Sequence, residues 1–347
     1  MTALGAESAM RVSTHAGDAD GRSPAVTVVI PNFNGWRFLP TCLDSLRRQT
    51  LQNHEVIVVD NGSTDGSVEL LAQRYPEVQV IIPRDNRSFF SGAVNAGIRA
   101  ARADVVFLLN NDTEADERCL EALLAGLDAH PECGMAAAKM RLFDRRDVLN
   151  AAGDFYGADG IPGNRGVWEA DVGQYDGVTY VFSPCGGAAA YRKSLFADVG
   201  GFDEDFIGYC EDVDLGWRAQ LAGYRCLFVP GAVVYHRLSA TGGGPLASYY
   251  TGRNTIWVIV KDVPGAIIRR HWRSMFAAQA RIAADALRAW RGAAARARLR
   301  GQLAGVLTAP GLLGKRRAVQ RSRRVNMEYL EALLQPRREK AAVGADR

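Results

Sequence analysis

The chain has no run of about 18 apolar residues, so no transmembrane helix is expected. Gln302 to Leu313 is apolar, but Pro310 and its glycines bar it from spanning a bilayer. Residues 1–23 are small and polar, with no apolar stretch of the kind a secretory leader needs. They read as a disordered segment and leave a cytoplasmic protein as the expectation. The cysteines are few: Cys42, Cys119, Cys133, Cys185, Cys210 and Cys226. None forms a C-x-x-C pair and their spacing is irregular. Free thiols in a reducing compartment are the simplest reading. There is no G-x-x-x-x-G-K-[ST] phosphate loop and no internal repeat, which argues against a nucleotidyltransferase built on such a loop.

What is present is an ordinary globular composition with an unequal charge distribution. The 347 residues are 48% hydrophobic, enough for a sizeable core, and carry a net charge of +4. Residues 261–347 hold 20 Lys+Arg against 6 Asp+Glu, whereas residues 1–260 hold 22 against 32. An acidic body with a basic tail points to an anionic partner for the tail.

Structure is expected to begin at Val26-Thr27-Val28-Val29-Ile30, a β-branched run stopped by Pro31. Helices are predicted over 38–48, 67–74 and 91–101, and strands over 55–59, 78–82 and 104–109. This alternation with short connections predicts a parallel α/β sheet. Residues 134–200 mix short strands with Gly-rich loops. A helix is predicted over 211–222 and a strand over 226–229. The glycines at 242–244 mark a boundary, after which the chain reads helical and basic. The expected division is therefore a disordered segment 1–23, an α/β domain 24–240 and a helical region 241–347.

Polar clusters fall at the ends of these strands: Pro31-Asn32-Phe33-Asn34, Asp60-Asn61-Gly62-Ser63-Thr64-Asp65-Gly66 and Asn110-Asn111-Asp112-Thr113. Glu211-Asp212-Val213-Asp214 opens a helix, and His236 follows Val233-Val234-Tyr235. The rim of an open α/β sheet is where ligands bind. Asparagines and an aspartate there suit a divalent ion bridging a diphosphate, although the same residues also favour tight turns. Asp60 can accept a bond from a pyrimidine N3–H or simply close an Asx-turn. A carboxylate in the first turn of a helix stays ionised, which serves a catalytic base and a helix cap equally well.

The stretches VTVVIPNFNG, EVIVVDNGSTDGS, SGAVNAGI, FLLNNDTE, CGGAAAYRKSLFADVGGFDEDF and EDVDLGWRAQLAGY, followed by YH, occur in this order over residues 26–240. In this the chain resembles family 2 glycosyltransferases of the GT-A fold, and among them the bacterial rhamnosyltransferase branch. The resemblance implies a Rossmann-like, mostly parallel central sheet. It also implies an inverting, metal-dependent transfer of a sugar from a nucleoside-diphosphate sugar. The donor it suggests is dTDP-rhamnose, and the acceptor a glycan or a polyprenyl-linked glycan.

Carried over by position, Pro31, Asn32 and Asp60 line the nucleotide pocket, with Asn86, Asn95 and Asn111 as further donor contacts. Asp112 and His236 hold Mn2+ or Mg2+. Asp212 is the base, and Glu211 orients it or touches the acceptor. The family's usual metal motif is D-x-D. Here Asn110 takes the first position, which leaves one carboxylate and frees Asn110 to meet the sugar or ribose. Gly186 and Gly187 either let backbone approach the donor sugar or form a β-bulge. Trp217 either stacks on the acceptor or belongs to the core. Asp214 lies about 200° around the helix from Asp212 and is expected to bond structural neighbours.

In the tail, Trp272, Phe276, Ile282, Ala283, Leu287 and Trp290 fall on one broad helical stripe. Arg269, Arg270, Arg273, Arg281, Arg288 and Arg291 border or oppose it. This pattern fits an anionic membrane surface, placing the enzyme on the inner face of the cell membrane. It equally fits a helix packed on the catalytic domain, or one used in a homo-oligomer. A non-catalytic protein binding nucleic acid through its basic tail is the contrasting reading. It would not need Asp112, Asp212 and His236 in this order, so no nucleic-acid partner is expected.

Overall fold

The computed structural model describes residues 11–12, 23–83, 89–237 and 243–335. Asn86 and most of segment 1–23 lie outside these residues. In chain order the elements begin with β1 (Arg11–Val12), β2 (Val26–Asn32), α1 (Leu39–Arg47), β3 (His54–Asp60), α2 (Ser67–Arg74), β4 (Gln79–Ile82) and α3 (Phe89–Ala100). Next come β5 (Val105–Leu109), β6 (Thr113–Ala115), α4 (Cys119–Ala129), β7 (Cys133–Leu142), β8 (Leu149–Ala152), β9 (Asp154–Gly157) and β10 (Pro162–Asn164). These lead to β11 (Tyr180–Val181), β12 (Ala188–Arg192), α5 (Lys193–Val199), α6 (Glu211–Ala222) and β13 (Arg225–His236). The last part holds α7 (Gly244–Lys261), α8 (Gly265–Arg288), α9 (Ala293–Thr308), α10 (Leu313–Arg321), α11 (Met327–Leu333) and β14 (Leu334–Gln335).

The main sheet runs β1-β4-β3-β2-β5-β12-β7-β13-β11. Strands β4, β3, β2 and β5 are parallel, as the alternation predicts. Strand β12 then inserts antiparallel between β5 and β7, and β13 returns parallel to β7. Period-two burial places Val26, Val28 and Ile30 on one face and Val29 on the other, so each face carries its own apolar layer. Because β3 and β5 flank β2 on opposite sides, the strand order reverses beside β2. The crevice at the carboxyl ends of these strands is the position where such sheets bind ligands.

The strand expected at 226–229 is instead the long β13, with a register irregularity between Val229 and Val233. Pro230 removes a ladder donor within this segment, and the chain resumes pairing beyond it. The far end of β13 pairs antiparallel with β6, setting His236 opposite Thr113.

From 244 to 333 the described residues are mainly helical, as expected, and these helices share a core with the α/β part. Tyr156, Phe182, Phe206 and Trp217 share a buried cluster with Trp257, Val258, Ile267, Met275, Leu312, Val319 and Leu330. Helices α7 and α9 approach closely at glycines. A Cβ on Gly301 would lie 2.0 Å from the Tyr249 carbonyl, and one on Gly252 would lie 2.7 Å from that of Arg298. Strand β14 completes a small second sheet, β10-β9-β14.

Candidate active site

The carboxyl ends of β2, β3 and β5 are tied by a chain of amides. Asn111 Nδ2 donates to Asn32 Oδ1 at 2.7 Å, and Asn32 Nδ2 donates to Asp60 Oδ2 at 2.7 Å. Asp60 also accepts from the backbone of Gly62 and Ser63 at 3.1 and 2.8 Å and from Ser63 Oγ at 2.7 Å. The Asx-turn is therefore present, and the carboxylate's acceptor sites are filled from within the fold. Pro31 sits half-buried beside Val59 in the same strand pair.

Asp112 is buried at 2% exposure, and His236 Nε2 lies 3.3 Å from its Oδ1. The pairing of β6 with β13 brings these distant residues together, and the Arg237 amide donates to the Asp112 carbonyl. His236 Nδ1 is 2.9 Å from Asn150 Oδ1. An N–H on Nδ1 bonding there leaves Nε2 as a lone pair aimed at Asp112, the tautomer that a metal-binding imidazole needs. Asn150 was not among the sequence candidates. Its only signal was a carboxamide inside the otherwise apolar strand Leu149–Ala152.

The turn before β12 joins the two halves of the site. The Asn110 amide donates to the Gly187 carbonyl at 3.0 Å, and the Gly186 amide donates to Asp212 Oδ2 at 2.9 Å. A Cβ on Gly187 would stand 3.3 Å from Asn110 Nδ2, and one on Gly186 would stand 3.2 Å from Asp212 Oδ2. The glycines thus allow this turn to lie against both strand end and carboxylate.

Glu211 and Asp212 open α6. Burial pushes the Asp212 carboxyl above its usual range, while the amides of Gly186 and Val213 partly hold it down. Burial, then the neighbouring Asp212 charge, raises Glu211 much further. Asp154, also missed in the sequence, is raised by burial and by Asp212. One oxygen of each aspartate and Cys185 Sγ lie within 4.8 Å of one another. Asp212 therefore belongs to a group of closely placed carboxyls with Asp154 and Glu211, a setting that moves a carboxylate toward basicity.

The segment leading into this pair is contorted. Ile207, Tyr209 and Cys210 have φ of 70°, 68° and 65°. Such conformations cost about 1–3 kcal/mol each for residues with a Cβ and persist only where surroundings impose them.

Trp217 belongs to the core, the second of its two readings, and Asn95 is a correction. Trp217 is fully buried, with its ring edge-on to Tyr156 at 5.0 Å and to Phe182 at 5.2 Å, so it offers no face to an acceptor. Asn95, expected as a donor contact, is buried and turned to its own fold. It donates to the Phe202 carbonyl and Glu204, and accepts from the Phe202 amide, so its carboxamide is spent bracing that loop. Asp214 bonds Arg218 and Lys261, as its place on the helix suggests.

The sequence pattern of Glycosyl transferase family 2 matches residues 27–200. N-acetylglucosaminyl-diphospho-decaprenol L-rhamnosyltransferase of Mycobacterium tuberculosis is 29% identical over 257 residues, covering 68% of this chain and 83% of that protein. O-antigen biosynthesis protein RfbC of Myxococcus xanthus is 28% identical over 228 residues, 63% of this chain but 18% of that much longer protein. Among solved structures, the mannosyltransferase PcManGT from Pyrobaculum calidifontis, in complex with GDP-Man and Mn2+, superposes with a TM-score of 0.52. It is 19% identical, over 90% of this chain and 84% of that one. The fold is GT-A-like, and the chain belongs to glycosyltransferase family 2.

Proposed function

We propose that this glycosyltransferase moves a sugar, with inversion, from a nucleoside-diphosphate sugar to a hydroxyl of a lipid-linked glycan. The observation that carries the reading is the Gly186-Gly187 turn, which contacts Asn110 on one side and Asp212 on the other. Diphosphate-binding groups and a raised carboxylate therefore share one crevice. Asp212 accepts the proton of the acceptor hydroxyl, whose oxygen attacks the anomeric carbon as the diphosphate leaves from the opposite side. Glu211 borders the acceptor side and orients Asp212. Asn32 and Asp60 receive the base and ribose. A pyrimidine N3–H takes the place of Ser63 Oγ at Asp60, and Asn110 meets the sugar or ribose.

The buried Asp112 carboxylate and the His236 imidazole fit a divalent cation such as Mn2+ or Mg2+, since one oxygen and one correctly turned nitrogen leave positions for phosphate oxygens. When bound there, the cation neutralises charge on the leaving diphosphate. The rhamnosyltransferase relative supports rhamnose as the sugar and a polyprenyl diphosphate-linked acceptor.

The test is nucleoside-diphosphate release across a panel of sugar nucleotides, dTDP-rhamnose included, with a polyprenyl-diphosphate-linked N-acetylglucosamine acceptor. Asp212→Asn is expected to lower transfer by roughly 10²–10⁴-fold with nucleotide binding intact. Asp112→Ala and His236→Ala are expected to reduce the melting-temperature rise that Mn2+ gives with nucleoside diphosphate. Normal turnover by a folded Asp212→Asn protein would reject the base, and an unchanged Mn2+ response in both other variants would reject the metal site.

A further inference from the structure

The contorted segment that delivers Glu211 and Asp212 is held from outside the α/β domain. Asn254, fully buried on α7, directs Nδ2 at the carbonyls of Phe206, Gly208 and Tyr209 at 3.0, 2.9 and 2.7 Å. A single carboxamide thus gathers the carbonyls around three left-handed residues, Ile207, Tyr209 and Cys210. Its neighbour Arg253 donates from Nη2 to the carbonyls of Asp205 and Phe206 at 2.7 and 3.1 Å. Further along α7, Lys261 bonds Asp203 at 2.6 Å before the segment and Asp214 after it. Lys315 on α10 bonds Asp203 and Asp205 at 2.6 Å each.

A β-branched residue such as Ile207 does not adopt a positive φ on its own account. Left alone, this segment would relax into an ordinary turn and rotate the start of α6. Asp212 would then lose its alignment with the Gly186 amide. From the α/β side, the Ser91 backbone amide donates to the Ile207 carbonyl at 3.3 Å, and Asn95 braces Phe202 rather than residues 207–210.

We propose that Asn254, in the C-terminal helical region, is a positioning residue for transfer, clamping residues 206–210 so that Asp212 faces the crevice. The proposal rests on Asp212 being the base. Among the described residues, the α/β domain outside α6 meets the carbonyls of this segment through the Ser91 amide alone, so the helical region is a working part of the catalytic centre.

The experiment compares Asn254→Ala, Asn254→Asp and Asp212→Asn in the full-length chain, measuring kcat, donor KM and hydrogen exchange at amides 207–214. Asn254→Ala is expected to lower kcat at least 10-fold, with donor KM and the UDP- or dTDP-Mn2+ thermal shift within about 3-fold of the native protein, and to speed exchange at 207–214 alone. Asn254→Asp keeps the size but presents an oxygen to three carbonyls. It is expected to match the alanine variant at neutral pH and to recover activity as acid protonates the new carboxyl. Native kcat in Asn254→Ala, or a parallel loss of kcat and donor affinity, would overturn the clamp. If Asn254→Ala does not fold, Arg253→Ala removes the two flanking bonds and carries the same expectation with a smaller drop. Native kcat in it would overturn the proposal. Normal transfer by Asp212→Asn would instead reject the base, while a dead Asp212→Asn beside an unaffected Asn254→Ala would reject the clamp alone.

Discussion

Glu211 is buried to 6% exposure and its Oε2 has no hydrogen-bond partner among the described residues. Its carboxyl is raised well above its ordinary value of 4.5, by burial first and then by Asp212. The folded state therefore keeps this proton to higher pH than the unfolded chain does. Between the two pKa values folding takes up a proton, so stability falls as pH rises past about 4.5. Glu211→Gln removes that dependence. Its melting temperature should equal the native one near pH 4 and exceed it increasingly toward pH 8, as calorimetry across that range would show. Equal melting temperatures throughout would mean that the carboxylate is solvated in the fold. The places of Asp112, Asp212 and His236 at or beside the ends of elements were legible in the sequence. Asn150 and Asn254 were not, since what they contact is set by pairing across the sheet and by helix docking. Trp217 stayed open between acceptor and core for the same reason: helical position alone does not say which side faces the core.

At the scale of elements, the boundary between α6 and α7 is a buried, charged contact. Asp214 is fully buried between Arg218, at 2.9 Å, and Lys261. Although burial pushes Asp203 upward, Lys261 and Lys315 together hold it down to about 2. A depressed carboxylate stabilises the fold above its unfolded pKa, and this is lost as pH falls toward about 2. Lys261→Ala leaves Asp214 to Arg218 alone and Asp203 to Lys315 alone, and is expected to cost about 3 kcal/mol in urea unfolding at neutral pH. It should also move acid unfolding to higher pH. A loss below about 0.5 kcal/mol would mark the contact as surface-like. The helices of the α/β half were legible from their spacing of apolar residues. The length of β13 was not, because Pro230 suggests an end where the chain only shifts register.

Over the whole molecule, the basic helices present an uncovered apolar face. Helix α8 buries Ile267, Met275, Ala278 and Ala286 against the body. Its larger stripe points about a third of a turn away, at 100° per residue. There Trp272, Phe276 and Leu287 are 54%, 71% and 60% exposed, and Trp290, in the turn just past α8, is 60% exposed. Leu303, Val306 and Leu307 of α9 are exposed as well. Packing and surface presentation, alternatives in the sequence, are thus assigned to different sides of one helix. No described helix is long and apolar enough to cross a membrane. We expect the protein to sediment with anionic liposomes at low salt and to release at high salt, since each basic residue near such a leaflet contributes about 1 kcal/mol. Trp272→Ser, Phe276→Ser and Trp290→Ser together should weaken binding even at low salt. Equal binding to neutral vesicles would reject the electrostatic attraction.

The clamp by Asn254 also bears on when the enzyme becomes competent during its own synthesis. The α/β sheet can close once β13 has left the ribosome, and nucleotide can then find its crevice. The segment bearing Asp212 gains its shape only after α7 has emerged and docked. If Asn254 acts as proposed, a nascent chain would complete the strand-end crevice before Asp212 was aligned with it. Transfer would begin only once the helices that carry the exposed tryptophans are being made.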